Sequence, residues 1–204
     1  GNGRKKPPAI ITFDDGYRNN YTVAFPILKE YGFHAAIFVC PGLLNQNDMV
    51  WYDKVIYAIQ RSSCANLTID SRRYDFDSPE RSKRWVEIDA LLAYLKTRSE
   101  QDRSRLVDEI VRSLNAPLDQ SECFAFLSEE EVRILRDSGL ISIGSHTTDH
   151  EILTKIPISR AKETIISSVR EIERIIGEDV MFFAYPNGDY NRDILGIVRT
   201  LPIQ

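Results

Sequence analysis

The chain has 204 residues, 43% of them hydrophobic, 27% charged and 10% aromatic, which is the make-up of a compact domain with enough apolar side chains for a real core. Its 26 basic residues are scattered among 30 acidic ones, so no electrostatic stripe for nucleic acid is present. The longest apolar runs, Ala35–Cys40 and Val180–Tyr185, are far shorter than the roughly 20 residues that span a bilayer.

In chain order, the first expected strand is Ala9–Phe13, preceded by Pro7-Pro8 and closed by the turn signal Asp14-Asp15-Gly16. Tyr21–Tyr31 carries Val23, Ile27, Leu28 and Tyr31 at helical spacing, with Pro26 as an expected kink and Gly32 placed to end the helix. Ala35–Cys40 is a near-continuous apolar run, the pattern of a parallel strand covered on both faces. From Pro41 to Leu127 the alternation is lost. The stretch reads as an insertion with helices at about Trp51–Gln60, Glu80–Leu95 and Gln101–Leu114, and a hairpin of Leu67–Ile69 against Arg73–Phe76.

The alternation resumes at Ser128-Glu129-Glu130-Glu131, a capping-box sequence opening a helix to about Asp137. Strand Leu140–Ile143 follows, then a long amphipathic helix from Ser159 to Gly177 with Ile165, Ile166, Val169, Ile172 and Ile176 on its apolar face. Val180–Ala184 is the expected fourth core strand, Tyr185-Pro186-Asn187-Gly188 its turn, and Arg192–Thr200 the last helix. The whole reads as one α/β domain, residues 1–204, with the insertion at about 41–127.

Three polar clusters follow strands: Asp14-Asp15, His146 to His150, and Tyr185–Gly188. In parallel α/β architectures the carboxyl ends of strands share one edge, where ligand sites form, so the clusters are expected to converge. His146 and His150 are four residues apart, a spacing that on a helical turn points both rings one way. Two histidines and a carboxylate make a three-ligand set that leaves room for water on a catalytic metal. Asp14 or Asp15 completes it, and the other is then free to take a proton. His34 lies at the amino-terminal end of a strand, on the opposite edge, and is expected to be structural. Cys40, Cys64 and Cys123 match no metal spacing and read as small packing residues. Gly1–Lys6 is basic but is followed by no apolar stretch of signal-peptide length, so the compartment stays open.

Thr12-Phe13-Asp14-Asp15-Gly16, Ser145-His146-Thr147-Thr148-Asp149-His150 and Phe183-Ala184-Tyr185-Pro186-Asn187-Gly188, in that order, closely resemble the successive motifs of the polysaccharide deacetylase family. That family is also called the NodB homology domain or carbohydrate esterase family 4. The resemblance covers Pro8–Pro41 and Ser128–Thr200. It implies a distorted (β/α) barrel, incomplete here, and an enzyme that removes N- or O-acetyl groups from polysaccharides or oligosaccharides. It further implies Asp14 as general base, and Asp15, His146 and His150 as ligands of zinc or, alternatively, Co2+ or Ni2+. The backbone N–H of Asn187 would face the oxyanion, and Tyr185, Pro186 and Trp51 would contact substrate.

The chain departs from the pattern in two places. Many members carry an arginine where this chain has Ala184, which marks a Tyr-Pro-Xaa-Gly subgroup. The histidine that protonates the leaving amine has no counterpart among His34, His146 and His150. The chain stops where the remaining barrel strands would follow, so an open sheet edge, available for association, is expected. Two other readings are a carbohydrate-binding or scaffold module that kept the fold without turnover, and a hydrolase of a non-sugar amide.

Overall fold

A computed structural model of the chain describes residues 9–116, 118 and 124–203; Pro7-Pro8, Cys123 and Gln204 lie outside the described residues. In chain order the elements are β1 (Ile11–Phe13), α1 (Phe25–Tyr31), β2 (Ala35–Val39), α2 (Trp51–Arg61), β3 (Asn66–Ile69), β4 (Arg72–Asp75), α3 (Arg81–Lys96), α4 (Glu100–Leu114), α5 (Glu129–Asp137), β5 (Ile141–Ser145), α6 (Ile158–Ile176) and α7 (Arg192–Val198). They fall into two compact units, Gly1–Gln46 with Ala125–Gln204, and Asn47–Phe124.

The first unit is built on a parallel sheet ordered β1-β2-β5. Ile11 pairs with Ala35, and Ala35 through Val39 pair with Ile141 through Ser145. β2 alternates buried and half-buried residues, as its central place and continuous apolar sequence require. Among the described residues the sheet is open, with β1 at one margin, as expected of an incomplete (β/α) barrel. The core behind it joins Ile37, Val39, Ile141 and Leu135 to Val169 and Ile172 of α6. The capping box forms as read from sequence: Ser128 Oγ accepts the Glu131 N–H at 3.1 Å and Glu131 Oε2 accepts the Ser128 N–H at 2.9 Å.

Two expectations are corrected, and the burial of one predicted helix is now defined. The segment before α1 is not a kinked α-helix: Asn20–Ala24 is a π-helical turn, in which the Phe25 N–H donates to the Asn20 carbonyl. The wider turn leaves Pro26 at the start of α1, where its missing N–H costs little. The apolar stripe of that helix does not face this core. Val23, Ile27 and Tyr31 are 58%, 52% and 63% exposed and only Leu28 is buried, because the segment packs through Leu28, Tyr21 and Phe25 instead. The fourth strand, Val180–Ala184, shrinks to one parallel bridge between Ser145 and Phe183. Ser145 donates its N–H to the Phe182 carbonyl and accepts from the Ala184 N–H, both at 2.9 Å, while Val180 is fully buried. Only Val180 of that run is buried, and Phe182 is 38% exposed, so the apolar run marks neither a full ladder nor a uniformly buried strand.

In the second unit, β3 and β4 pair antiparallel, Asn66 with Asp75 through Ile69 with Arg72. The hairpin turns on Asp70 and Ser71, whose φ values are 47° and 66°, the two left-handed residues that a tight hairpin loop demands. Val55, Leu91, Leu95 and Ile110 join Tyr74 in a separate core.

The correction at α1 gives a paired expectation. Ile172→Ala, at a fully buried site, should destabilise the protein by about 2–5 kcal/mol, and Ile27→Ala by no more than about 0.5 kcal/mol, as measured by urea unfolding. Equal losses would mean that the face of α1 bearing Ile27 is covered.

Candidate metal centre

Each polar cluster is shaped by unusual backbone. At the end of β1 the Gly16 N–H donates to the Asp14 carbonyl at 2.8 Å, and Asp15 adopts φ 69°, a left-handed conformation that aspartate tolerates better than most residues. The turn is fastened to the segment ahead of α5. Leu127 N–H donates to the Gly16 carbonyl at 2.9 Å, Arg18 N–H to the Ala125 carbonyl at 2.8 Å, and Tyr17 stacks on Phe126 at 4.8 Å. Arg18 Nε also donates to Glu131 Oε1 at 2.8 Å, tying the turn to the capping box of α5.

His146 continues past β5, with its N–H donating to the Val39 carbonyl at 3.0 Å. Its Nδ1 lies 2.9 Å from the Ala184 carbonyl. A carbonyl can only accept, so Nδ1 carries the proton and, in the neutral ring, Nε2 keeps its lone pair. His150 reaches the same point by a different route from the helical turn expected. Residues 147–150 form a turn in which Thr147 has φ 67° and His150 φ 57°, and the two imidazole centroids are 5.1 Å apart. The four-residue spacing works here through two left-handed residues.

The outer side of that turn is bonded to α6 and to the end of β2. Thr148 N–H donates to Thr164 Oγ1 at 3.0 Å, and the Gly42 N–H donates to the Thr148 carbonyl at 2.8 Å. A Cβ on Gly42 would collide with the Asp149 carboxylate and lie 2.8 Å from the Thr148 carbonyl, so glycine is needed for this close approach.

These turns bring Asp15, His146 and His150 together. Asp15 Oδ1 lies 3.4 Å from His146 Nε2 and 3.4 Å from His150 Nε2, the three side chains are 14%, 3% and 9% exposed, and all three donor atoms fall within 4.8 Å of one another. A tetrahedral zinc ion with bonds of about 2.0–2.1 Å separates neighbouring ligand atoms by about 3.3–3.4 Å. The spacing, and the Nε2 lone pair that this tautomer of His146 offers, therefore fit a divalent cation, and the Ala184 carbonyl supplies the outer hydrogen bond that fixes a ligating imidazole.

The other singled-out residues fall as follows. Asp14 is exposed beside Asp15, and Asn187 is exposed with φ 58°. Pro186 is buried and Tyr185 half-buried, with the Tyr185 ring packed on Phe183 and Tyr190; burial raises the pKa of its hydroxyl. Trp51 belongs to the second unit, edge-on to Tyr52 with the Arg103 guanidinium 5.2 Å above its ring. His34 is exposed just ahead of β2. Cys40 is fully buried and donates its S–H to the His146 carbonyl at 3.2 Å. Burial first, and the Asp15 charge second, push its thiol well above its ordinary pKa, as befits an inert packing residue. Sequence reading missed Gly42, Thr164 and the Ala184 carbonyl; only Gly42, in a Pro-Gly pair after a strand, carried even a turn signal.

A parallel α/β sheet with an Asp-His-His cluster at its carboxyl edge is the architecture of a NodB-type deacetylase fold. The family model for polysaccharide deacetylases matches residues 1–204, and the chain belongs to that family. Among solved structures it is similar to IcaB from Ammonifex degensii, at 19% identity and TM-score 0.54 over 98% of this chain. It is similar also to BC0361, a polysaccharide deacetylase from Bacillus cereus, at 18% and 0.53 over 96%. A third is the Streptococcus pyogenes deacetylase PplD in complex with acetate, at 18% and 0.52 over 97%. The chain spans 60%, 38% and 55% of those three chains respectively.

The close approach at Gly42 is testable by stability. Gly42→Ala should destabilise by about 1–3 kcal/mol, the usual cost of forcing a group into packed surroundings. Gly196→Ala, in α7 with open space at its Cβ, should be neutral or stabilising by up to about 1 kcal/mol. Thermal unfolding of both variants checks the contrast.

Proposed function

We propose that the protein is a metal-dependent hydrolase that removes acetyl groups from an acetylated polysaccharide or oligosaccharide, with Asp15, His146 and His150 holding a divalent cation. Zinc suits one carboxylate and two imidazoles best, and Co2+ or Ni2+ would also be accepted by this set. The observation that carries the reading is the placement of Asp15 Oδ1 at 3.4 Å from both Nε2 atoms. When bound, such a cation supplies Lewis acidity, polarising the acetyl carbonyl and making water more acidic.

The chain's own residues would divide the remaining work. Asp14 is the proposed base. It is exposed one residue before Asp15, and the left-handed backbone at Asp15 lets adjacent carboxylates point in different directions. It would accept the proton of the water that attacks the acetyl carbon. The Asn187 N–H would donate to the oxyanion as the carbonyl carbon becomes tetrahedral. This role is supported by the hydrogen bond that ties Ala184, three residues earlier, to the His146 ring. Tyr185 and Pro186 would form the adjoining substrate wall. The acyl carbon–nitrogen bond would then break as Asp14 returns that proton to the departing nitrogen, giving acetate and a free amine.

Two outcomes are expected. Protein purified without chelator should contain one divalent metal per chain and His146→Ala should lose it; equal metal content in both would overturn the ligand assignment. Asp14→Asn should keep the metal and release acetate from acetylated amino-sugar oligomers at least about 10²-fold more slowly, the usual weight of a general base. An undiminished rate would remove Asp14 from the mechanism, and acetate release unaffected by chelator would overturn the metal-dependent reading.

A further inference from the structure

The turn that carries His150 is held from within by a carboxylate that has no part in the chemistry proposed above. Glu151 is only 7% exposed. Its Oε2 accepts the Asp149 N–H at 3.0 Å, and its own N–H donates to Thr147 Oγ1 at 3.2 Å. Its Oε1 lies 3.5 Å from Arg160 Nη2, and Arg160, in the first turn of α6, also reaches Glu163 at 3.3 Å. The hydrogen bonds of Glu151 thus bracket His150, one reaching to the residue before it and one to the start of the turn.

A buried carboxylate is costly unless hydrogen-bonded or paired, so this placement calls for a role. Direct ligation is not that role: the donor atoms that cluster within 4.8 Å are those of Asp15, His146 and His150. What the carboxylate does hold is the backbone on which His150 is mounted. Thr147, a β-branched residue at φ 67°, and His150 at φ 57° are both in a region the chain adopts only when its surroundings over-determine it. Thr164 and Gly42 fix the turn at Thr148. At Asp149, next to the ligand itself, the Glu151 carboxylate holds it.

We infer that Glu151, anchored by Arg160, is a positioning residue for His150, fixing the left-handed turn that aims its imidazole at Asp15; the inference rests on the metal reading above. The acceptor for the Asp149 N–H matters first, and the charge only through the Arg160 anchor. A glutamine oxygen at the same place can take the Asp149 N–H, whereas alanine offers nothing.

The test uses the full chain and zinc as the probe. Glu151→Ala should weaken zinc binding by about tenfold to a hundredfold, the range seen when an outer partner of a metal ligand is removed. Glu151→Gln should recover most of the loss, and Arg160→Ala should fall between. In metal-free protein, hydrogen exchange of the Asp149 amide should quicken in Glu151→Ala and stay near wild type in Glu151→Gln. A Glu151→Ala affinity within twofold of wild type, or a glutamine variant as weak as the alanine one, overturns the inference. If wild type and His146→Ala take up zinc equally, the metal reading fails instead. The exchange measurement then decides the role of Glu151 alone, and an unchanged Asp149 rate in Glu151→Ala overturns it.

Discussion

The parallel pairing of β2 with β5 is the constraint from which the site follows. Its register sets Val39 opposite Ser145, and the ladder runs one residue further because His146 donates its N–H to the Val39 carbonyl. His146 is therefore located by sheet geometry. The same end of β5 fixes the third motif: Ser145 exchanges backbone hydrogen bonds with Phe182 and Ala184, and its hydroxyl meets Ser168 of α6 at 2.8 Å. Ala184, so placed, bonds the His146 ring. A slip of one residue between β2 and β5 would turn every side chain of β5 to the opposite face and dissolve all of these contacts together.

Backbone strain marks where local preference yields to this arrangement. Of the non-glycine residues with left-handed φ among those described, Asn45, Asp70, Ser71 and Asn115 are small polar residues of the kind that turns favour. Asp15, Thr147, His150 and Asn187 all lie in the three polar clusters. Thr147 is the outlier, since a β-branched side chain is disfavoured at positive φ. It is fully buried, and its hydroxyl accepts the Glu151 N–H. Such conformations typically cost about 1–3 kcal/mol each, a cost that a purely structural turn could avoid by using glycine.

The sequence made the site legible for the same reason that the fold does. Polar residues following apolar runs mark strand ends, and parallel strands end at one edge, so the Asp14-Asp15 pair, His146 and His150 could be brought together before any coordinate was known, and the family resemblance then singled out Asp15. Inferences from periodicity were weaker. A four-residue histidine spacing suggested a helical turn, yet the chain reaches the same convergence through two left-handed residues. The stripe Val23, Ile27 and Tyr31 is amphipathic by spacing and exposed in fact, since periodicity says that a face is apolar and not what covers it. The roles of Gly42, Glu151 and Ala184 were not legible. Each depends on its tertiary setting: Gly42 on a carbonyl more than a hundred positions away in sequence, Ala184 on a ring in an earlier motif, and Glu151 on a turn whose backbone conformation no pattern announces.

The long interruption between β2 and α5 is closed at its base by backbone hydrogen bonds. The chain leaves the first unit at Gln46 and re-enters at Ala125. The two ends are bonded to each other, Asn45 N–H to the Leu127 carbonyl and Phe126 N–H to the Gln46 carbonyl, both at 3.0 Å. The returning segment is the one that fastens the Asp15 turn through Gly16, Arg18 and Tyr17. The entropy of closing a loop grows only slowly with its length, so the residues between these ends can form a hairpin and three helices with a core of their own at little further cost to the closure.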